Sequence, residues 1–415
     1  MSTKVELDKR IEVLSLAIEL QHQVLRDLET KRSLARMDLN TICDPMARLP
    51  LEISSEIFLR CLPDSPGPGC DDSPTVLLLV CRLWHEIASS TPLLWTTLHN
   101  GPAHATNFKR LHVAEINRSS MAWIRRAQNR PITVAIHGPL QLSPSLEQHA
   151  HRIDQLKLCL PSRLELQRLT FPFPSLTKLK IEIVEPHSTV GVTVECLELL
   201  RAAPCVVDCE FAGPNSLWTV TDENVPPTPL THLRLQHLRL GLYYGFDSFS
   251  QTIIPHCPHI LRYLTLPALR SLFISDFEDL GSHEVEEFLA RSSPPLRSLN
   301  IVTRDDDLSE SRGYFRLLPH LTDLTVDFMN DLENLDFLED NHHTSLPNLR
   351  TLTIRGGVHV IVGALTGARR GSKLRSFRHI FFEPPELTDN TLMALRQLVR
   401  DGMEIYIGTR NMNMI

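Results

Sequence analysis

Apolar side chains follow three different patterns along the chain, and each pattern predicts a different kind of element. In residues 1–43 they recur every three or four positions, which predicts helix with a heptad seam. In residues 44–98 apolar clusters are separated by prolines, which predicts short packed helices. From residue 151 to 415 they alternate in short runs, which predicts strands with one buried face. Residues 99–150 are a connecting region in which Trp123–Arg126 indicates helix and Ile132–Ile136 a strand, and this strand could begin the first repeat of the pattern that follows.

The first pattern begins after a plausible capping box formed by Thr3 and Glu6. Its seam is interrupted by Gln21 and Arg32 and otherwise consists of Leu7, Ile11, Leu14, Ile18, Leu25, Leu28, Ala35, Leu39 and Ile42. The seam could pair weakly with a second chain as a coiled coil, or lie against another part of the same chain. Since three regular heptads are marginal for a dimer, we expect packing within the chain or a short helical hairpin.

The second pattern predicts a compact helical module. Pro50 fits the first turn of a helix that Pro63 ends, and residues 63–74 are rich in Pro, Gly and Asp, as in an exposed loop. Ser73-Pro74 then begins a second helix that is apolar over more than half its circumference as far as Ile87. Pro92 stops that helix, and a third short element contains Trp95.

This module carries Leu-Pro-x-Glu-Ile at its start, Val-Cys-Arg-x-Trp at its centre and Thr-Pro-x-Leu-Trp at its end. In these motifs it resembles an F-box of the form common in fungal proteins, although the connection at 64–73 is longer than usual. The resemblance implies a three-helix domain that binds the adaptor subunit of a cullin–RING ubiquitin ligase. Carried over by position, the expected adaptor-binding residues are Leu49, Pro50, Glu52, Ile53, Ile57, Val80, Cys81, Trp84 and Trp95.

The third pattern is a repeat in which a proline or small residue precedes apolar–x–x–apolar–x–apolar. Copies begin at residues 153, 176, 206, 230, 269, 296, 321, 349 and 374, with an insertion after Gly241. Helical stretches starting at Ser282 and Thr388 lie between copies, and Met403–Ile407 is the expected closing strand. A strand and a helix every 25 or so residues resemble the leucine-rich repeats of F-box proteins. The implied fold class is α/β, an irregular solenoid with parallel strands inside and helices outside.

Side chains between the strand leucines would point to the concave face of such a solenoid, where a target protein could bind. The expected target-binding residues are Lys178, Lys180, Asp208, Glu210, Arg234, Phe273, Asn300, Asp323, Asp327 and Arg355. Phe273 is the possible aromatic anchor, unless a neighbour covers it. The insertion at Tyr243–Phe246 is an alternative place for the target.

Net charge and cysteine usage limit the classes of partner and the cellular compartment that we expect for this protein. The net charge of −7 argues against nucleic-acid binding, and nine scattered cysteines indicate reduced thiols. We find no signal peptide, no membrane span, no catalytic motif and no motif for a metal or cofactor; Asp305–Asp307 predicts a solvated loop. The sequence therefore predicts a non-catalytic substrate receptor of the cytoplasm or nucleus. The alternative is a scaffold or regulatory protein that uses the same module without ubiquitin transfer.

Overall fold

The computed structural model describes most of the chain, with gaps that fall mainly between its helices and strands. The described residues are 2–63, 66–67, 74–100, 113–138, 147–169, 171–183, 192–213, 228–241, 259–275, 282–303, 315–328, 346–356, 373–381, 389–409 and 412–414. The insertion at Tyr243–Phe246 and the acidic run Asp305–Asp307 lie outside them. The fold is mixed α/β, with a long N-terminal helix and a mostly parallel sheet.

The chain divides into two compact units. Unit 1 consists of Met1–His99 and Ala103–Ile132, and unit 2 of Asn100–Pro102 and Thr133–Ile415. The helices that the structure describes in unit 1 are α1 Ser2–Cys43, α2 Leu51–Arg60, α3 Pro74–Val80, α4 Arg82–Ser90 and α5 Val113–Arg126, with single 3-10 turns at Pro45–Arg48 and Pro92–Trp95. Strand β1, Thr97–Asn100, follows the second of these turns.

Helix α1 is unbroken over 42 residues. It contains no glycine or proline at which a turn could form. The expected helical hairpin is therefore wrong. Packing of the seam within the chain is not found either, because the described seam leucines and isoleucines are exposed.

Two features of unit 1 differ from the sequence predictions. Pro50 precedes the first turn of α2 as its N-cap residue and does not lie within that turn. The single helix predicted from Pro74 to Ile87 is divided into α3 and α4 by Cys81, whose backbone is extended at φ −156° and ψ 173°. The thiol of Cys81 donates a hydrogen bond to Asp44 Oδ2 at 3.3 Å, so a tertiary contact accompanies the break.

Unit 1 is built around aromatic side chains. Trp95 and Trp123 are buried and meet edge to face, with ring centroids 5.0 Å apart. Phe58 of α2 is also buried, and its ring lies 5.0 Å from that of Trp84 on α4. Since such pairs add to the hydrophobic contribution of large rings, these contacts stabilise the arrangement of α2, α4 and α5.

Unit 2 is a sheet of strands joined by helices, 3-10 turns and loops. Its strands are β2 Ile132–His137, β3 Ile153–Leu160, β4 Lys178–Ile183, β5 Asp208–Ala212, β6 Leu230–Thr231, β7 His237–Gly241, β8 Leu264–Thr265, β9 Ser271–Ser275, β10 Ser298–Thr303, β11 Asp323–Phe328, β12 Thr351–Arg355, β13 Ser376–Ile380, β14 Glu404–Thr409 and β15 Met412–Asn413. Its described α-helices of three turns or so are α6 Thr193–Ala202, α7 Ser282–Ser292 and α8 Asp389–Arg400.

The strands of this sheet lie side by side in chain order from β2 to β15, except that β6 and β8 form a separate pair. Neighbours from β3 to β14 are parallel, and β15 pairs with β14 in the antiparallel direction. The prediction of a closing strand at Met403–Ile407 corresponds to β14, which lies second from the edge.

Prolines fix the turns that lead into these strands. The Leu176 N–H donates to Phe173 O across Pro174 at 3.3 Å, and the Leu321 N–H donates to Leu318 O across Pro319 at 3.2 Å. Proline suits the second position of such a turn because its φ is already near the required value. The leucine after each turn is buried, which places the following strand in register with its neighbour.

One predicted repeat has the wrong frame. The buried residues of this repeat are Leu235, which precedes β7, and Leu238 and Leu240 within β7, whereas Leu233 of the predicted copy is 72% exposed. Leu233 occupies the turn position at which the other turns have proline. The ring of His232 accepts a hydrogen bond from the Leu235 N–H at 3.1 Å, in place of the backbone carbonyl that accepts it in those turns. The repeat therefore begins five residues later than the sequence pattern suggested.

Candidate functional site

Exposed apolar side chains on unit 1 form the first candidate site. Leu49, Ile53 and Ile57 lie at or near the start and along one side of α2, and between 38% and 50% of each is exposed. Val80 at the end of α3 is 48% exposed. Unit 1 buries Phe58 and Trp95 as its own core, so these aliphatic residues are not needed to complete that core. Apolar side chains left in solvent at several neighbouring positions are typical of a protein-binding surface.

Further exposed apolar residues accompany those that the sequence analysis identified. Leu51 precedes Ile53 by two positions, Leu79 precedes Val80, and both are more than half exposed. Val76 and Leu93 are also exposed. The sequence could have predicted these exposed residues, because α3 is apolar at every position except Thr75. In a helix that is apolar on all sides, one buried face cannot accommodate every apolar side chain.

Trp95 is not part of this surface. It is fully buried, its indole N–H donates to Ala88 O at 2.8 Å, and the Arg126 guanidinium lies 4.8 Å from its ring centroid. Its assignment as an adaptor-binding residue is therefore corrected to a core residue of unit 1. The motif position is occupied by tryptophan because a large ring with one donor fits this interior.

The remaining motif residues hold the surface in place or border it. Pro50 and Glu52 are exposed at the start of α2, whereas Cys81 and Trp84 are half-buried. Cys81 connects to Asp44, and Trp84 packs on Phe58, so both also have a structural role.

The second candidate site is one face of the sheet in unit 2. Along each strand, buried aliphatic residues alternate with side chains on the opposite face, as Leu179 and Ile181 alternate with Lys178 and Lys180. The parallel register places one residue from each of ten strands in a continuous row. This central row consists of Lys157, Lys180, Glu210, Arg239, Phe273, Asn300, Thr325, Thr353, Arg378 and Tyr406.

Charged residues of this face are paired across neighbouring strands. Lys180 Nζ lies 2.6 Å from Glu210 Oε1, and Arg355 lies 3.2 Å from Asp327 Oδ2. Both pairs are partly exposed, so each contributes little to stability. They nevertheless fix long side chains in defined positions, which lowers the entropy lost when a partner binds.

Two of the predicted target-binding residues are misplaced. Phe273 is only 9% exposed, because the Arg239 guanidinium covers its ring at 4.5 Å from the centroid. Phe273 is therefore not an exposed anchor. Arg234 belongs to the repeat with the wrong frame and precedes β7, so it is not on the sheet face.

The other predicted residues of this face divide into two groups. Lys178, Lys180, Asp208 and Glu210 lie together on adjacent strands β4 and β5. Asp323, Asp327 and Arg355 lie on β11 and β12, and Asn300 lies on β10 beside them. Six members of the central row were not among the expected target-binding residues; they are Lys157, Arg239, Thr325, Thr353, Arg378 and Tyr406.

Asn300 has an unusual position in the central row. Its side-chain oxygen is buried and has no hydrogen-bond partner among the described residues. It lies between Phe273 on β9 and Thr325 on β11. An unpaired buried acceptor is costly, so a donor from a bound molecule would be favourable at this point.

Three cysteine thiols of unit 2 have raised pKa values. Burial is the main cause that raises the pKa of the Cys159 thiol, and the neighbouring Glu182 carboxylate raises it further. Burial also raises the pKa of Cys196 and Cys209 well above the usual value. These thiols therefore stay protonated near neutral pH, whereas a nucleophilic cysteine needs a lowered pKa.

Comparison with known proteins gives no family for this chain: no family model matches it, and a search of curated proteins finds no relative. Among the described residues, no three or more His, Cys, Asp and Glu side chains are grouped so that they could hold a metal ion. None of the described helices combines the length and the apolar character that crossing a membrane requires.

Proposed function

We propose that the chain is a non-catalytic substrate receptor of a cullin–RING (SCF-type) ubiquitin ligase. Residues 44–98 act as an F-box-like module that binds the adaptor subunit, and the sheet of unit 2 acts as an irregular leucine-rich-repeat arm that binds a target protein. The observation that carries the proposal is the exposure of Leu49, Ile53, Ile57 and Val80 at the motif positions of a unit that has its own core.

The chemistry of the surface supports a protein partner. Aliphatic side chains that are about half exposed gain free energy when another protein covers them, about 25 cal/mol per Å² of apolar area. Glu52 and Arg48 border the apolar residues and provide the polar rim that specific interfaces have. A small set of such residues can supply most of the binding energy.

The sheet of unit 2 supports the second half of the proposal. Its central row offers charged, amide and aromatic side chains on ten adjacent strands, all held by parallel pairing. Such a row can contact an extended length of a target protein. In this function the chain supplies proximity, because it raises the concentration of the target near the conjugating enzyme.

Binding of purified chain to purified adaptor tests the proposal. Ile53→Asp places a charge in the centre of the apolar surface and should weaken adaptor binding at least tenfold. Met393→Asp is the matched control, since Met393 is exposed to a similar extent but lies on α8 of unit 2. If both variants bind as the unaltered chain does, the surface on α2 is not the adaptor site.

Reconstitution with the cullin and RING subunits distinguishes a receptor from a scaffold. A receptor should promote ubiquitin transfer to proteins that co-purify with unit 2. A chain that binds the adaptor but promotes no transfer to any of them would instead be a scaffold or regulatory protein.

A further inference from the structure

Helix α1 exposes an apolar seam that no described residue covers. Seven leucine and isoleucine residues of the seam have side chains that the structure describes, and each is between 53% and 62% exposed; they are Leu7, Ile11, Leu14, Ile18, Leu25, Leu28 and Leu39. An isolated seam of this size exposes far more apolar surface than scattered single residues do. Its spacing of alternating three and four residues matches the core positions of a coiled coil.

The geometry of α1 suits a partner helix of the same length. The helix is continuous over 42 residues and therefore about 60 Å long. Helices of this length with a repeating apolar seam and no break are typical of coiled coils. A second copy of this chain supplies a matching seam, and the polar residues within the seam indicate how that copy is oriented.

Arg32 decides against a parallel pair. In a parallel pair each seam residue faces its own counterpart, so two Arg32 side chains would meet in one layer as like charges. In an antiparallel pair whose two-fold axis crosses the interface at the level of Gln23, Arg32 faces Leu14 of the second copy. Its aliphatic stem can then cover Leu14 while the guanidinium reaches water.

The other seam layers are also compatible with the antiparallel register. Ile18 faces Leu28, and Gln21 faces Leu25, so no layer contains two polar residues. The outermost complete layer joins Leu7 to Leu39, and the helices overlap along almost their whole length.

Charges beside the seam favour the same orientation. Asp8 and Arg36 occupy the flanking position on one side of the seam, and in the antiparallel register they face each other across the pair. Arg10 and Asp38 do the same on the other side. All four side chains are exposed in the single chain. In a parallel pair Arg36 would instead face Lys31, a second repulsive contact, and flanking charges are known to set orientation in coiled coils.

We propose that two copies of the chain associate through α1 as an antiparallel coiled coil. The proposal is independent of the function proposed for α2 and the sheet. In the dimer each α1 covers the seam of the other. A dimer presents two copies of every other binding surface, so a partner with two sites would bind with increased avidity.

A second group of apolar residues on α1 provides a control. Val13, Leu16 and Leu20 are exposed but lie off the seam, on the outer side of the proposed pair. Leu28→Glu removes a seam residue, whereas Leu20→Glu makes the same chemical change outside the seam. Comparison of the two separates the proposed interface from a general effect of apolar surface.

Sedimentation of the full chain over a range of concentrations tests the proposal. The unaltered chain and Leu20→Glu should sediment at twice the chain mass of 47.1 kDa, and Leu28→Glu as a monomer with unchanged helix content. A monomer of the unaltered chain at every concentration, a species larger than two chains, or equal effects of the two variants would each overturn it.

Charge exchange tests the orientation. Arg36→Glu should raise the dissociation constant about tenfold, because it places two acidic residues opposite each other at two symmetric positions. Adding Asp8→Arg to that variant should restore the original affinity. If Arg36→Glu strengthens the dimer instead, the helices are parallel, since the introduced carboxylate would then attract Lys31, and the proposal is wrong.

Discussion

Replacement of Trp95 by phenylalanine distinguishes a core residue from a binding residue at a motif position. The change removes the indole N–H that donates to Ala88 O at 2.8 Å and leaves that buried carbonyl without this donor. Loss of the hydrogen bond costs about 1 kcal/mol. The smaller ring also loses part of the contact with Trp123 and leaves a small cavity, at a further cost of about 1 kcal/mol. Unit 1 should therefore lose about 2 kcal/mol of stability.

Tryptophan fluorescence during urea unfolding can measure this loss, because three of the four tryptophans of the chain lie in unit 1. The adaptor affinity of Trp95→Phe, measured well below the unfolding transition, should equal that of the unaltered chain. A variant that keeps its stability but binds the adaptor ten times more weakly would refute the assignment of Trp95 to the core.

Three further predictions concern stability. Burial lowers the pKa of His379 to about 4, whereas its pKa in the unfolded chain is near 6.5. Because the unfolded chain binds the proton more tightly, the free energy of unfolding should fall by about 2 kcal/mol as the pH decreases from 7.5 to 5. His379→Phe should reduce that pH dependence in urea titrations, and an unchanged slope would contradict the reasoning. Gly67→Ala should lower the melting temperature strongly, because its Cβ would lie 1.8 Å from His99 O. Gly402→Ala should lower the free energy of unfolding by only about 1 kcal/mol, since its φ is +91° but no atom lies within 4 Å of the added Cβ. If Gly402→Ala destabilises the chain more than Gly67→Ala does, the steric contact with His99 is not what makes Gly67 necessary.

The turns and strand positions of unit 2 could be predicted largely from sequence. Each proline-containing turn before Leu176, Leu321 or Leu349 fixes one frame for the apolar positions that follow. At residues 230–240 leucines fit two frames, and Pro229 precedes the frame that the structure does not use. The His232 ring makes the turn hydrogen bond there and selects the later frame, which no local pattern reveals.

The errors in unit 1 have a similar origin. Nothing in the apolar run from Val76 to Ile87 indicates a break, because Cys81 is neither glycine nor proline. Its contact partner Asp44 is 37 positions away in the sequence, so the break depends on tertiary structure. Helix α1, by contrast, could have been predicted correctly, because a segment without glycine or proline has no residue that favours the turn of a hairpin.

The candidate surfaces were predictable in position but not in exposure. Motif matching identified Ile53 and Trp95 equally, yet one is half exposed and the other is fully buried. Likewise, alternation placed Phe273 on the correct sheet face but could not show that Arg239 covers it. Exposure depends on neighbours that are distant in the sequence, and only the folded chain brings these together.

Calorimetric titration of the purified, intact chain with the purified adaptor subunit tests the central claim most directly. The account predicts saturable binding of one adaptor per chain, with a heat signal that Ile53→Asp removes and Met393→Asp preserves. Absence of binding by a correctly folded chain at micromolar concentrations would contradict it.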